Sequence, residues 1–155
     1  MRISFKLPLL VLLTTFLFNT LTVGATVVLH ETGHYITADY AGCNPIRLVL
    51  LDSEIGTYTE MACPTEQPQY FAVFGALLLT TPFALAFLLL RSVPEKNLFW
   101  VSVGFNFTIM MLDIPDLSIL RLASLGFGLV LFLIGEVLLI DNLFEYMGRV
   151  EGFVM

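Results

Sequence analysis

Four long apolar blocks constrain the fold of this chain more than any other feature of its sequence. Between charged residues and histidines they cover residues 7–29, 67–90, 97–112 and 122–140, with Glu136 as the one charge inside them. A helix that crosses a bilayer needs about 20 apolar residues, with a range of about 17–25. The blocks therefore predict an all-α membrane protein with four transmembrane helices. We place the spans at about residues 8–41, 68–90, 97–113 and 122–140, in a single integral membrane domain over residues 1–155.

The composition agrees with this prediction and excludes other classes. Hydrophobic residues make up 57% of the chain and charged residues only 13%, whereas soluble domains carry about 25% charged residues. The net charge of −6 excludes a basic nucleic-acid-binding protein, so the expected surroundings are the lipid bilayer. A signal peptide is the competing interpretation of the first block, with Arg2 and Lys6 as its basic region. The block is longer than the apolar region of a usual signal peptide, which favours a transmembrane span.

The basic residues indicate an orientation. Five precede span one, separate spans two and three, or follow span four, whereas two lie in the other connections. Basic residues collect on the cytoplasmic side, so we expect a cytoplasmic N-terminus.

Cys43 and Cys63 share the loop between spans one and two. They form a disulfide if that loop faces an oxidising compartment and stay unpaired thiols if it does not.

The two histidines of the chain stand in one motif, His30-Glu31-Thr32-Gly33-His34. On a helix, positions i and i+4 project from one face, so both imidazoles can bind one Zn²⁺. The glutamate beside the first ligand can take a proton from a metal-activated water. The alternative is a pair of interfacial histidines beside a solvated glutamate. We favour the metal site because ionisable groups at membrane depth are costly and usually functional.

The helix that carries the motif has a polar stripe. Its members follow helical steps of three and four and are Thr15, Asn19, Thr22, Thr26, His30, Gly33 and Thr37. A stripe of this kind is expected to face other helices or a wet cavity rather than lipid. Threonines that bond their own helix backbone would explain each residue but not the alignment with His30.

A catalytic zinc site needs three protein ligands and one open position, so the motif lacks its third ligand. Asp113 is the first candidate, because it ends span three on the same membrane side as His30. Asp116 lies nearby in sequence, and Glu54 lies 20 residues after His34 within a predicted turn. Glu136 is expected near the opposite face, as a snorkelling or helix-paired carboxylate.

Two β-prone stretches, Ile46–Leu51 and Thr57–Met61, surround the turn and predict a short β-hairpin in the first loop. An exposed strand edge beside a zinc site can hold an extended peptide as an added strand. A hairpin that only caps the helices is the equally acceptable alternative.

These residues resemble the site-2 protease family of intramembrane zinc metalloproteases, and in particular its small, minimal members. The motif with Ala38 and Gly42 behind it is similar to the family's HExGH…A…G run at the end of a helix. Phe74-Gly75-Ala76-Leu77 is similar to the glycine-led start of the next core helix, and Asn106 with Asp113 to the last core helix. The resemblance covers about residues 20–116.

The resemblance implies a zinc metalloendopeptidase that cleaves a transmembrane protein substrate near the membrane edge. It implies His30, His34 and Asp113 as metal ligands, Glu31 as the catalytic base, and Asn106 as a catalytic residue that fixes the substrate backbone. A non-catalytic membrane metal-binding or scaffold protein is the alternative, although metal binding alone does not require Glu31. The sequence does not indicate the oligomeric state.

Overall fold

Four helices and one β-hairpin make up the described part of the chain. The computed structural model describes residues 6–52, 56–64, 66–114 and 119–152. The helices are α1 (Lys6–Tyr40), α2 (Glu66–Leu88), α3 (Val93–Asp113) and α4 (Ile119–Gly152). Strands β1 (Asn44–Asp52) and β2 (Gly56–Ala62) pair antiparallel between α1 and α2. The predicted mostly helical fold, the count of four helices and the hairpin in the first loop are confirmed in the described part of the chain.

Two helices of the described part, α1 and α4, are long and apolar enough to cross a membrane. Their outward faces carry large apolar side chains, such as Leu12 and Phe16 on α1, which are 65% and 70% exposed. Exposed apolar surface of this extent needs an apolar surrounding.

Helix α3 contacts each of the other three helices. It buries polar residues such as Ser102 and Asn106, which explains why its sequence is less apolar than a lipid-facing helix.

Two helix boundaries lie four or more residues from the predicted ones, because charges end an apolar run without ending a helix. Helix α3 begins at Val93 rather than near residue 97. Ser92 caps it: the Ser92 hydroxyl accepts from the Glu95 amide, and the Glu95 carboxylate accepts from the Ser92 amide. Helix α4 continues past Ile140 to Gly152, with a Glu145–Arg149 ion pair on its exposed last turns.

Helix α1 ends in a Schellman motif that turns the chain into the hairpin. The Cys43 amide donates to the Ala38 carbonyl at 2.9 Å, and the Gly42 amide to the Asp39 carbonyl at 3.1 Å. Gly42 adopts a φ of 76°, a conformation that glycine reaches without steric cost. Ala38 and Cys43 are both buried and pack together. The end of the motif helix and the start of β1 are therefore one fixed unit.

Glycines allow close helix contacts at two interfaces. On α1, a Cβ at Gly33 would lie 2.6 Å from the Gly75 carbonyl oxygen of α2. On α4, a Cβ at Gly128 would lie 2.6 Å from both the amide nitrogen and the hydroxyl of Thr108 on α3. These contacts bring backbones together as small residues do between helices in membranes. The first of them fixes α2 against the helix that carries the histidines.

We expect Gly128→Ala to lower the melting temperature of the detergent-solubilised protein. The added methyl group has no room at Thr108, and overpacking of this kind costs about 1–3 kcal/mol. Gly126→Ala is the matched control on the same helix, because nothing lies within 4 Å of a Cβ there. That variant should keep or slightly raise the melting temperature, since alanine is the better helix former. Equal melting temperatures for the two variants would contradict the described α3–α4 contact.

Candidate metal centre

The polar stripe of α1 faces its neighbouring helices. Its threonines and His30 are buried, with His30 at 1% exposure and Thr26 at 0%. Thr26 also pairs with Ser102 of α3, with 3.0 Å between the two hydroxyl oxygens. Thr26 and Thr37 hydrogen-bond carbonyls of their own helix. The expected inward orientation is confirmed, and backbone bonding accompanies it rather than replacing it.

Three potential ligand atoms converge where α1 meets the end of α3. The Nε2 atoms of His30 and His34 lie 3.0 Å apart. The Oδ2 atom of Asp113 lies 2.8 Å from His30 Nε2 and 3.1 Å from His34 Nε2. Both histidines are buried, and Asp113 is partly buried. Two histidines of one helix and a carboxylate 79 positions further along the chain thus share one small volume.

Asn106 fixes the orientation of His30 from α3. Its side-chain oxygen lies 2.8 Å from His30 Nδ1, and Asn106 is 4% exposed. An amide oxygen only accepts, so His30 donates from Nδ1 to Asn106, which leaves Nε2, turned towards Asp113 and His34, as the nitrogen that would bind a metal. This is the tautomer that a metal-ligating histidine needs, with the outer nitrogen held by a second residue. The side chain of Asn106 is buried and bonds His30, and its expected role in holding substrate backbone stays a prediction.

The donor set fits a zinc ion. Zinc takes imidazole nitrogens and carboxylate oxygens at about 2.0–2.2 Å, and tetrahedral geometry separates such ligand atoms by about 3.3 Å. The three observed separations of 2.8, 3.0 and 3.1 Å are a few tenths shorter. Small side-chain rotations would therefore admit the ion. In its absence the carboxylate hydrogen-bonds both histidines, so the same geometry also describes an ion-paired cluster.

Glu31 lies beside this cluster on the wall of an open cavity of about 780 Å³. The cavity is bounded by α1, by the end of α3 and by one strand of the hairpin. Its lining comprises the motif residues His30, Glu31 and His34, residues 57–61 of β2, and Val27, Ile109, Leu112 and Asp113. A carboxylate, two imidazoles and a strand thus face the same space.

The hairpin contacts the motif helix through Thr59. The Thr59 hydroxyl oxygen lies 2.9 Å from the Glu31 carbonyl oxygen and 2.9 Å from Glu31 Oε2. Nothing in the sequence distinguished Thr59 from the other threonines, so sequence reasoning missed it. The only available signal was its place in a strand predicted to lie beside the motif.

Cys43 and Cys63 form a disulfide. It joins the residue before β1 to the residue after β2 and packs against Ala38 at the end of α1. Of the two alternatives that the sequence left open, the structure contains the disulfide. Both ends of the hairpin are thereby fixed to the motif helix.

Glu54 and Asp116, the other two candidates for the third ligand, lie outside the described residues. Glu136 lies on α4, next to Gly135, which packs against Val101 of α3. Val101 is five positions before Asn106 on α3, or about 7.5 Å along the helix axis. The neighbourhood of Glu136 is therefore separated along α3 from the residue that bonds His30. Glu136 Oε1 is buried and has no hydrogen-bond partner within the described residues.

Searches against protein-family models, curated proteins and solved structures find no match to this chain.

Proposed function

We propose that this chain is an intramembrane zinc metalloprotease similar to the site-2 protease family. It would hydrolyse a peptide bond of a membrane-embedded protein near the membrane edge. The single observation that carries the proposal is the convergence of His30, His34 and Asp113 beside Glu31 on one cavity. Three ligands, an adjacent base and an open space are the parts that zinc-dependent peptide hydrolysis requires.

Each residue has a distinct role in this mechanism. His30, His34 and Asp113 would hold the metal. Zinc, when bound, supplies Lewis acidity towards a carbonyl oxygen and a water molecule. Glu31 takes a proton from the attacking water and passes it to the leaving amine, as general base and then general acid. Asn106 keeps His30 in its ligating tautomer and is a positioning residue.

The strand β2 offers a place for the substrate. Five consecutive residues of β2, 57–61, line the cavity. Successive side chains of a strand point to opposite faces, so the edge of β2, and not one of its faces, borders the cavity. In the two-stranded sheet, β2 pairs only with β1 among the described strands. Its other edge can therefore accept an extended peptide by strand addition. A substrate held in this way would place its backbone beside Glu31.

The proposal includes four membrane spans and a cytoplasmic N-terminus. The two helices that are long and apolar enough support spans one and four. Helix α3 contacts the three other helices and buries Ser102 and Asn106, so these polar residues do not prevent it from crossing. The disulfide supports an oxidising compartment for the hairpin, on the far side of α1 from the N-terminus.

This orientation can be tested with thiol chemistry. Intact cells are treated with a reductant and then with a membrane-impermeant thiol reagent. Because the disulfide lies in the hairpin, Cys43 and Cys63 should become labelled without lysis. A protein carrying both cysteines as serine is the control for unspecific labelling. Labelling that requires lysis would reverse the orientation.

The proposed activity is tested with a pool of synthetic transmembrane peptides reconstituted with the purified protein. Cleavage products are identified by mass spectrometry. We expect about one zinc per chain, loss of cleavage after treatment with a strong chelator, and recovery when zinc is restored. Cleavage that persists with less than about a tenth of the zinc remaining would contradict a zinc mechanism.

A further inference from the structure

Thr59 is the one residue of the hairpin with a described hydrogen bond to the Glu31 carboxylate. Its hydroxyl reaches both the backbone and the side chain of Glu31, with 2.9 Å to each oxygen. Glu31 is 8% exposed, so few water molecules can replace this partner. We propose that Thr59 is a positioning residue that holds Glu31 ready for proton transfer. This inference rests on the proposed function.

The hairpin is built to deliver this hydroxyl to one place. Thr59 pairs with Leu48 in the antiparallel register. Two residues further on, Met61 packs against the buried Ala38–Cys43 pair at the end of α1. The Cys43–Cys63 disulfide ties both strand ends to the same point. The position of Thr59 relative to Glu31 is therefore set by contacts on either side of it.

A free glutamate side chain samples several rotamers, and most of them point its carboxylate away from a substrate. A hydrogen bond to Oε2 selects one of them and leaves Oε1 for the attacking water. Groups held in place before the reaction contribute to rate without reorganising during it. The hairpin would thus organise the base as well as hold the substrate.

The chemistry of a hydroxyl suits a group that gains and loses a proton. A hydroxyl has one proton to donate and lone pairs that accept. While Glu31 is a carboxylate, Thr59 donates to Oε2. After Glu31 has taken the proton of the water on Oε1, Thr59 can still donate to Oε2 or to the Glu31 carbonyl oxygen. A partner remains available on both sides of the proton transfer.

The kinetic test compares Thr59→Val, which has nearly the same shape without the hydroxyl, with Thr59→Ser, which retains it. For a cleaved peptide, Thr59→Val should lower kcat by about 10- to 100-fold, the worth of a hydrogen bond to a charged group. KM and zinc content should stay unchanged, and Thr59→Ser should recover most of kcat. Thr20→Val is the matched control, because Thr20 bonds only its own helix at Phe16 in the described contacts.

A second test needs neither zinc nor substrate. Melting temperatures of the metal-free protein are compared for wild type, Thr59→Val, Glu31→Ala and the double variant. Thr59→Val should lower the melting temperature by about 2–4 °C in the wild type and by clearly less in the Glu31→Ala background. The bond to the Glu31 carbonyl survives Glu31→Ala, so the difference isolates the bond to the carboxylate.

The outcomes separate this inference from the proposed function. If wild type cleaves and Thr59→Val keeps full kcat, or if KM alone changes, the positioning role is wrong. Additive melting shifts would also overturn it. If wild type cleaves no peptide, the protease proposal fails, while the melting comparison still decides whether Thr59 holds Glu31. Should Thr59→Val lose its zinc through misfolding, Thr59→Ala takes its place in both tests.

Discussion

Glu31→Gln should retain zinc and lose peptide cleavage. Glutamine has nearly the same shape as glutamate, and its side-chain oxygen can still accept the bond from Thr59. It cannot take a proton from water, so only the proton transfer is removed. General acid–base catalysis contributes about 10²- to 10⁴-fold, and the cleavage rate should fall by that amount. Zinc per chain and the rate of peptide cleavage are measured on the same preparations.

The control for this variant is Glu145→Gln. Glu145 is an exposed carboxylate of α4 that pairs with Arg149 at 3.1 Å, and it is not among the residues that line the cavity. Its cleavage rate should stay within a few-fold of wild type, since exposed ion pairs are worth little. If Glu31→Gln cleaves as fast as wild type, then Glu31 is not the base and the protease mechanism must be abandoned.

Asp113→Ala should release the metal and abolish cleavage. The variant removes the carboxylate that lies within 3.1 Å of both histidine Nε2 atoms, leaving two ligands from one helix. Mutation of residues that only hydrogen-bond the metal ligands lowers metal affinity by about 10–100-fold. Loss of a ligand itself should therefore weaken zinc binding by more than about 100-fold. Zinc affinity is measured by competition with a chromogenic chelator.

His30→Ala and His34→Ala should also lose zinc affinity and peptide cleavage. Asp39→Ala should bind zinc like the wild type. Asp39 is an exposed aspartate near the end of the same helix. The secondary structure of all four variants should persist, because association of helices in lipid does not depend on the metal. If Asp113→Ala keeps wild-type zinc affinity while the histidine variants lose it, the third ligand lies elsewhere and the role of Asp113 is wrong.

The sequence predicted the features that depend on the periodicity of one helix or on the order of the helices along the chain. Helical periodicity placed His30, His34 and the threonine stripe on one buried face, and the count of crossings placed Asp113 on their side. The partners that depend on how separate elements pack were not accessible. Asn106 was noted as a catalytic candidate, but its bond to His30 depends on the rotation of α3. The link from Thr59 to Glu31 depends on strand register and on the disulfide, neither of which the residue pattern specified.

The pairs between α1 and α3 keep one constant offset: Thr26 with Ser102 and His30 with Asn106 are each 76 positions apart. The two helices therefore run parallel without slipping, and they must tilt together. Helix α1 has 35 residues, so at 1.5 Å per residue it exceeds a hydrocarbon core of about 30 Å and must tilt or protrude. In the proposed setting, a thicker bilayer would change the depth of the whole centre and leave its internal spacing intact. If the chain is the proposed protease, lipid chain length would then determine which bond of a substrate is cut, because it sets the depth of the centre below the membrane surface.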